Sequence, residues 1–499
     1  MKKILLLGAS SAALLATAPA LAQSNVSTAT QTGTGGIVTI GQNGSNASSI
    51  VTQGGVNNKA VVAQSGNSAE STITQDNGTG STDDSNAASV TQKGNSTSFV
   101  TQTNDNADAT IDQDGNGNLS NVVQSGDDDV ASVEQRGDNN DSVVTQSGSS
   151  NSADVSQRAN GNISTVSQTS GSNSAIVDQK DDLNISTVTQ RGLGINSANV
   201  LQSGMGNQST VTQGGLLNET GDEASVRGVI QSGDNNKSAV TQNGGLQEAF
   251  VVQSGNGNDS TIDQGGTISA AHDASVTQSG NNNLSTVKQR GFDAGAIVNQ
   301  SGNANSASID QGRDINGFFD GGYGEGQRAD VVQGGNRNAA DVKQRGEDQT
   351  AFIRQIGNNN ADNGATIDQG GDNGRSHFAS IEQLGNNNDA TVLQRGANQD
   401  ATVTQGGNRN LAKVDQGDGV GINHNATVTQ GGNLNIADVA QSGTNQTATL
   451  VQDGNSNESF VTQGGLNNTA TVSQYSDGNY STVTQGGSGN TATVTQGVM

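Results

Sequence analysis

Residues 463–485 read QGGLNNTATVSQYSDGNYSTVTQ, and the following segment closes on a further glutamine at Gln496. Counting back from Gln474, the residue two before is Val472, four before Ala470 and six before Asn468; counting back from Gln485 they are Val483, Ser481 and Asn479. These offsets are all even. In an extended chain Asn, Ala or Ser, Val and Gln therefore project from one side, and the intervening Thr, Ser and Tyr from the other. A period of two is the period of a strand, not of a helix. Each glutamine is followed by residues such as Gly464-Gly465, which leave a tight turn of about four residues before the next strand.

Working outward, forty glutamines between Gln31 and Gln496 occupy this place, and thirty of the thirty-nine intervals between them are eleven residues long. That regularity marks a repeat architecture. The residue two before each glutamine is Val, Ile or Leu except at Ala29. The slot four before alternates from Ser49, Ala60, Ser71 and Ala88 onward, with Arg227 as the break. It is uniformly Ala from Ala307 to Ala448, then returns in phase as Ser459, Ala470, Ser481 and Ala492. The fold expected is all-β: a β-solenoid with two strands per 22-residue coil, Ser-type strands on Ser-type and Ala-type on Ala-type, in amyloid-like cross-β stacking about 4.8 Å apart. The phase makes the gap from Gln311 to Gln333 one lengthened turn. Eight intervals exceed eleven residues, and seven lead into an Ala-type strand, which predicts that the extra residues gather on one edge. The exception leads into Ala365.

Buried amides are costly unless paired. Gln53, Asn58 and Gln64 near the start, and Gln463, Asn468, Gln474, Asn479, Gln485, Asn490 and Gln496 near the end, are therefore expected to form hydrogen-bonded ladders along the stack, beside an inward aliphatic row of Val461, Val472, Val483 and Val494. Because the pattern is still in register at Ala492, Val494 and Gln496 with no polar capping unit after it, end-to-end self-association is expected.

Residues 1–22 read as a signal peptide: Lys2 and Lys3 precede an apolar run from Ile4 to Leu15, and Ala20 and Ala22 suit cleavage before Gln23. Residues 23–43 match the pattern only in part and read as a secretion segment or a weak cap; the repeats occupy 44–499. The single proline, Pro19, falls in the signal peptide, and there is no cysteine or tryptophan. A strand ladder tolerates no proline, so its absence suits a chain that is β-paired throughout. A net charge of −25 without a basic block argues against nucleic acid as a partner. Seventy glycines and low hydrophobicity alone would suggest disorder; the periodicity overrides that reading.

No nucleophile, base and orienting group recur in fixed relation, so no catalytic residue, cofactor or metal site is assigned. His272, His377 and His424 all stand in the Asn slot just after a lengthened turn, and they read as structural. Asp127-Asp128-Asp129 and the segment 112–117 resemble calcium loops only superficially, since Val123 stands where an EF-hand needs glutamate. Gln-Arg-Gly turns, such as Gln135-Arg136-Gly137 and Gln394-Arg395-Gly396, read as solvated corners. Phe318, Phe319 and Tyr323 share the longest turn and read as a loosely packed loop. Outward Thr-Val-Thr triplets at 210–212, 427–429 and 482–484 raise an ice-binding alternative, against which stand Asp310, Lys343, Arg354 and Glu382 at outward positions. A surface adhesin is a further alternative, without a visible anchor or binding domain.

The run Gln-x-Gly-x-x-Asn-x-Ala-x-x-x-Gln, complete from Gln463 to Gln474 and nearly so from Gln53 to Gln64, resembles the curlin repeat over about residues 44–499. The resemblance implies a secreted, non-enzymatic fibre subunit that forms a homopolymer with itself at the bacterial cell surface, for adhesion and biofilm matrix. It also implies a nucleator subunit, a dedicated outer-membrane secretion channel and periplasmic chaperones as partners. The chain departs from the family in its larger number of repeats and in replacing Asn by Gln or His in many coils.

Overall fold

The computed structural model describes residues 4–7, 24–76, 85–192, 194–215, 217–220, 228–312, 325–360, 364–417 and 421–497. The cleavage point at Ala22 and Gln23, the slot residue Arg227, and Phe318, Phe319 and Tyr323 lie outside the described residues. The chain divides into two compact units, Met1–Val240 and Thr241–Met499. Among the described residues every regular element is a β-strand.

Most strands are six or seven residues long, rich in the β-branched residues that suit a pleated surface, and end at the repeat glutamine where turn formers take over. In the first unit Leu119–Gln124 pairs in parallel with Asp141–Ser147, and that strand with Ile163–Thr169. The intervening strands, Val130–Arg136 and Ser152–Gln157, pair with one another in a second sheet. In the second unit Glu458–Gln463 pairs with Tyr480–Gln485 in one sheet, and Thr447–Gln452, Thr469–Gln474 and Thr491–Gln496 follow one another in the other. Each unit is thus a parallel β-solenoid in which every coil of about 22 residues gives one strand to each sheet. Like lies on like: Ser120 pairs with Ser142, Ala131 with Ala153 and Gln124 with Gln146.

The phase argument holds across the long interval. Gln300 pairs with Gln333 and Gln311 with Gln344, so among the described residues the interval from Gln311 to Gln333 adds no strand to either row, and Ala437 lies against Ser459 where the alternation resumes. Two insertions, however, are not in turns. Ala198 pairs with Thr220, and Val200 pairs with Val229, so the surplus length of this interval falls between the alanine slot and the valine slot. Thr220 is fully buried in the place assigned to Arg227 from spacing. Likewise Asn360 takes the Asn slot above Asn338, and Ala365 the slot above Ala340, so the extra residues fall between them. The interval leading into Ala365 stands apart from the other seven because it enters the other sheet, where Ala365 pairs with Ala340.

Parity decides the core. Val472 is fully buried and Val461 and Val483 nearly so, while Thr471 between them faces outward, half-buried. Each such aliphatic side chain contributes about 1.5–3 kcal/mol by leaving water. Turns need special backbone: Asn467 has φ 54° and Gly465 φ 92°, and a Cβ on Gly465 would lie 2.0 Å from the Gly487 carbonyl oxygen of the next coil. Close coil spacing, not local conformation alone, requires that glycine.

In the first unit the inward hydroxyls of Ser120, Ser142 and Ser164 are buried without a hydrogen-bond partner. The same slot holds alanine from Ala307 to Ala437 in the second unit. Replacing an unpaired hydroxyl by apolar surface removes a desolvation penalty, so Ser142→Ala is expected to leave stability unchanged or raise it by about 1–2 kcal/mol. Urea denaturation reads this directly. A clear loss would mean that the hydroxyl is paired.

Candidate functional site: amide ladders and an open strand edge

Most strands end on or just after an inward glutamine, whose amide lies at the corner between the two sheets. Gln53 Nε2 donates to Gln75 Oε1 at 2.8 Å and Gln64 Nε2 to Gln92 Oε1 at 2.8 Å. Gln441, Gln463 and Gln485 continue the pattern at 3.0 and 2.8 Å, as do Gln452, Gln474 and Gln496 at 2.9 and 2.8 Å. The second N–H crosses to the opposite sheet: Gln463 Nε2 donates to the Thr447 carbonyl at 3.0 Å and Gln474 Nε2 to the Glu458 carbonyl at 3.1 Å. One side chain therefore ties its coil to the coil above and its sheet to the sheet opposite.

The asparagine rows run with opposite polarity. Asn86 N donates to Asn58 Oδ1 at 2.9 Å, Asn479 N to Asn457 Oδ1 at 2.8 Å and Asn490 N to Asn468 Oδ1 at 2.9 Å. Asn468 Nδ2 also donates to the Gly464 carbonyl at 2.7 Å, which ties the turn to the strand it feeds. Val494, Gln496 and Asn479 are half-buried and Asn490 is exposed, because Tyr480–Gln485 and Thr491–Gln496 each pair on one side alone among the described residues. At the strand before it, the outward residue Thr469 donates its N–H upward to the Asn490 carbonyl. By the same register the N–H groups of Thr491, Thr493 and Thr495 point to the side on which no described strand lies.

The three histidines are buried in the Asn row. His272 Nδ1 accepts from Ala294 N at 3.3 Å and His424 Nδ1 from Gln446 N at 3.4 Å, the bond an Asn Oδ1 would accept. Burial, reinforced by the positive charge of Arg290 near His272 and of Arg395 near His377, pushes both imidazoles down to about 4 from an ordinary 6.5. The unfolded chain thus takes up protons first as acid is added. The stability these groups carry is complete above about 6.5 and is lost as the pH falls from 6.5 towards 4. His272→Asn with His377→Asn is expected to fold normally and to flatten this acid limb in denaturation midpoints measured from pH 7 to pH 4. An unchanged limb would place its cause elsewhere. Asp129 also sits in the Asn row, buried, with Asn151 N and Nδ2 donating to its Oδ1 at 2.9 and 3.0 Å; burial raises its carboxyl above the usual range. Among the described residues no group of three His, Cys, Asp or Glu is placed to hold a metal.

Arginine at coil corners is more than solvated surface. Arg136 is exposed and pairs with Glu134 on its own strand. In the second unit, however, Arg290, Arg345 and Arg395 reach Asp263, Asp310 and Asp368 one coil back, at 2.6, 2.6 and 2.8 Å, and each also donates to that aspartate's backbone carbonyl. Each aspartate immediately precedes a repeat glutamine, Gln264, Gln311 or Gln369, after which the interval to the next glutamine exceeds eleven residues. Spacing along the chain gave no sign of this, since the partners are 27 or 35 residues apart.

The family model described as the curlin associated repeat matches residues 126–158, 148–180, 233–266, 335–361, 361–396, 432–465 and 465–497. No curated protein matches the chain. Repeats matched in both units, on coils whose Gln and Asn rows carry the stacking, place this chain in the curlin family.

Proposed function

We propose that this chain is a secreted structural subunit of an extracellular curli-like fibre, which grows by adding the strands of a second copy to an open end of the stack and serves adhesion and biofilm matrix. The observation that carries the reading is the one-sided pairing of Thr491–Gln496. Its outward threonines present a row of backbone groups that no described strand uses, and the row of inward amides below has one fixed polarity, so an incoming coil meets donors and acceptors in a set register. Membership of the curlin family supports the same reading, together with a nucleator, a dedicated outer-membrane channel and periplasmic chaperones as partners.

Thr493→Pro tests it. Proline at this outward position removes an upward N–H and sets its ring against the next strand, while the pairing of Thr491–Gln496 with Thr469–Gln474 is formed by the other face of the backbone. The purified variant, residues 23–499, is expected to show the parent's circular dichroism and yet fail to elongate fibre seeds in a thioflavin assay checked by electron microscopy. Elongation at the parent's rate would remove this edge as the growing surface, and a parent that forms no fibres would remove the function.

A further inference from the structure

Five successive strands of one sheet in the second unit read DATVTQ, NATVTQ, TATLVQ, TATVSQ and TATVTQ, ending at Gln405, Gln430, Gln452, Gln474 and Gln496. Their first, third and fifth residues face outward. Eleven of these fifteen positions are threonine, and one, Asp400 at a corner, is charged. The central column is unbroken: Thr402 pairs with Thr427, Thr427 with Thr449, Thr449 with Thr471 and Thr471 with Thr493. Beside it run Thr404, Thr429, Val451, Ser473 and Thr495. The charges that stand against such an array in the sequence lie elsewhere. Asp310 and Lys343 pair on the opposite sheet, and Arg354 and Glu382 stand in the two coils before the first threonine row.

From this face we infer a second activity: binding of ordered water at an ice surface. Threonine offers a methyl group and a hydroxyl from one stiff rotamer, and here it repeats on a grid of about 4.8 Å between coils and about 6.7 Å between alternate residues of a strand. Ice exposes flat planes of oxygen atoms whose repeats are close to both distances, so hydroxyls can occupy lattice positions while methyl groups sit over the openings between them. A charged side chain would impose its own hydration shell. In a chain with a net charge of −25 this face carries almost none. A second copy is the poorer occupant on grounds of size, since a patch of about 19 Å by about 13 Å, set by the strand and residue spacings, falls well short of the roughly 800 Å² per partner that a stable contact buries.

The test uses residues 23–499, both before assembly and as fibres, and follows faceting of a single ice crystal and thermal hysteresis. The parent is expected to shape ice and hold a hysteresis gap. The triple variant Thr427→Lys, Thr449→Lys, Thr471→Lys should lose both while keeping the parent's circular dichroism and seeded growth. Thr286→Lys, outward on the opposite sheet, should keep everything. Thr449→Val, which retains shape and loses the hydroxyl, should weaken the effect without touching the fold. A parent that leaves ice unshaped, or a triple variant as active as the parent, overturns the inference. Filament bundles that separate in the triple variant, from a parent without ice activity, would overturn it too and make the face a contact between copies. Fibre growth is read independently, so failure here leaves the subunit function standing, and the reverse.

Discussion

Val472→Asp is expected to disrupt the last coils of the second unit, whereas Thr471→Asp, one residue earlier, is expected to be tolerated. Val472 is fully buried between Leu450 and Val494 in its row, with no polar group set to receive a charge. An ion there would carry a desolvation penalty of several kcal/mol, in addition to the lost contribution of the valine of about 1.5–3 kcal/mol. A total loss above about 4 kcal/mol places the change among the most damaging single substitutions. Because each coil of a solenoid is held chiefly by its neighbours, the damage should be local. Amide hydrogen exchange should rise across strands 447–452, 469–474 and 491–496 and stay low in the first unit. Thr471 projects outward, and a carboxylate there keeps its water. Equal effects at the two positions would mean that the inward register is off by one residue.

Gln474→Ala should also be strongly damaging, for a different reason. Gln474 accepts from Gln452 Nε2 at 2.9 Å, donates to Gln496 Oε1 at 2.8 Å and donates across to the Glu458 carbonyl at 3.1 Å. Truncation leaves one donor and two acceptors unanswered in a corner where Gln452 and Gln474 are fully buried. At about 1–3 kcal/mol for each group left unsatisfied in a buried site, the expected loss is about 3 kcal/mol or more, partly relieved wherever water can enter. Gln474→Glu separates the ladder from mere size. It keeps the volume, loses the donor and places a carboxylate against the carbonyl of Glu458, so it should be at least as damaging as the alanine. Thermal denaturation of the two variants beside the parent decides. A glutamate variant as stable as the parent would show that the amide's N–H groups contribute little.

Parity, the eleven-residue step and the twenty-two-residue phase are all properties of the chain itself. A side chain in a strand alternates faces whatever lies next to it, so Asn468, Ala470, Val472 and Gln474 declare one inward face without reference to any neighbour. The Ser and Ala alternation even carries the phase through the long interval between Gln311 and Gln333, because a lost strand would have set Ser459 against the wrong row. What the chain could not declare is which residue continues a row when an insertion interrupts it. Thr220 and Asn360 take slots that counting back from glutamine assigns to other residues, because stacking selects the residue that completes the row whatever its distance from the next glutamine. Nor does the local pattern contain the pairing of Arg345 with Asp310, 35 residues away, or the gathering of five Thr-rich strands on one charge-poor face. Those depend on which coil lies above which, and distance along a solenoid axis becomes contact only after the intervening turns have closed.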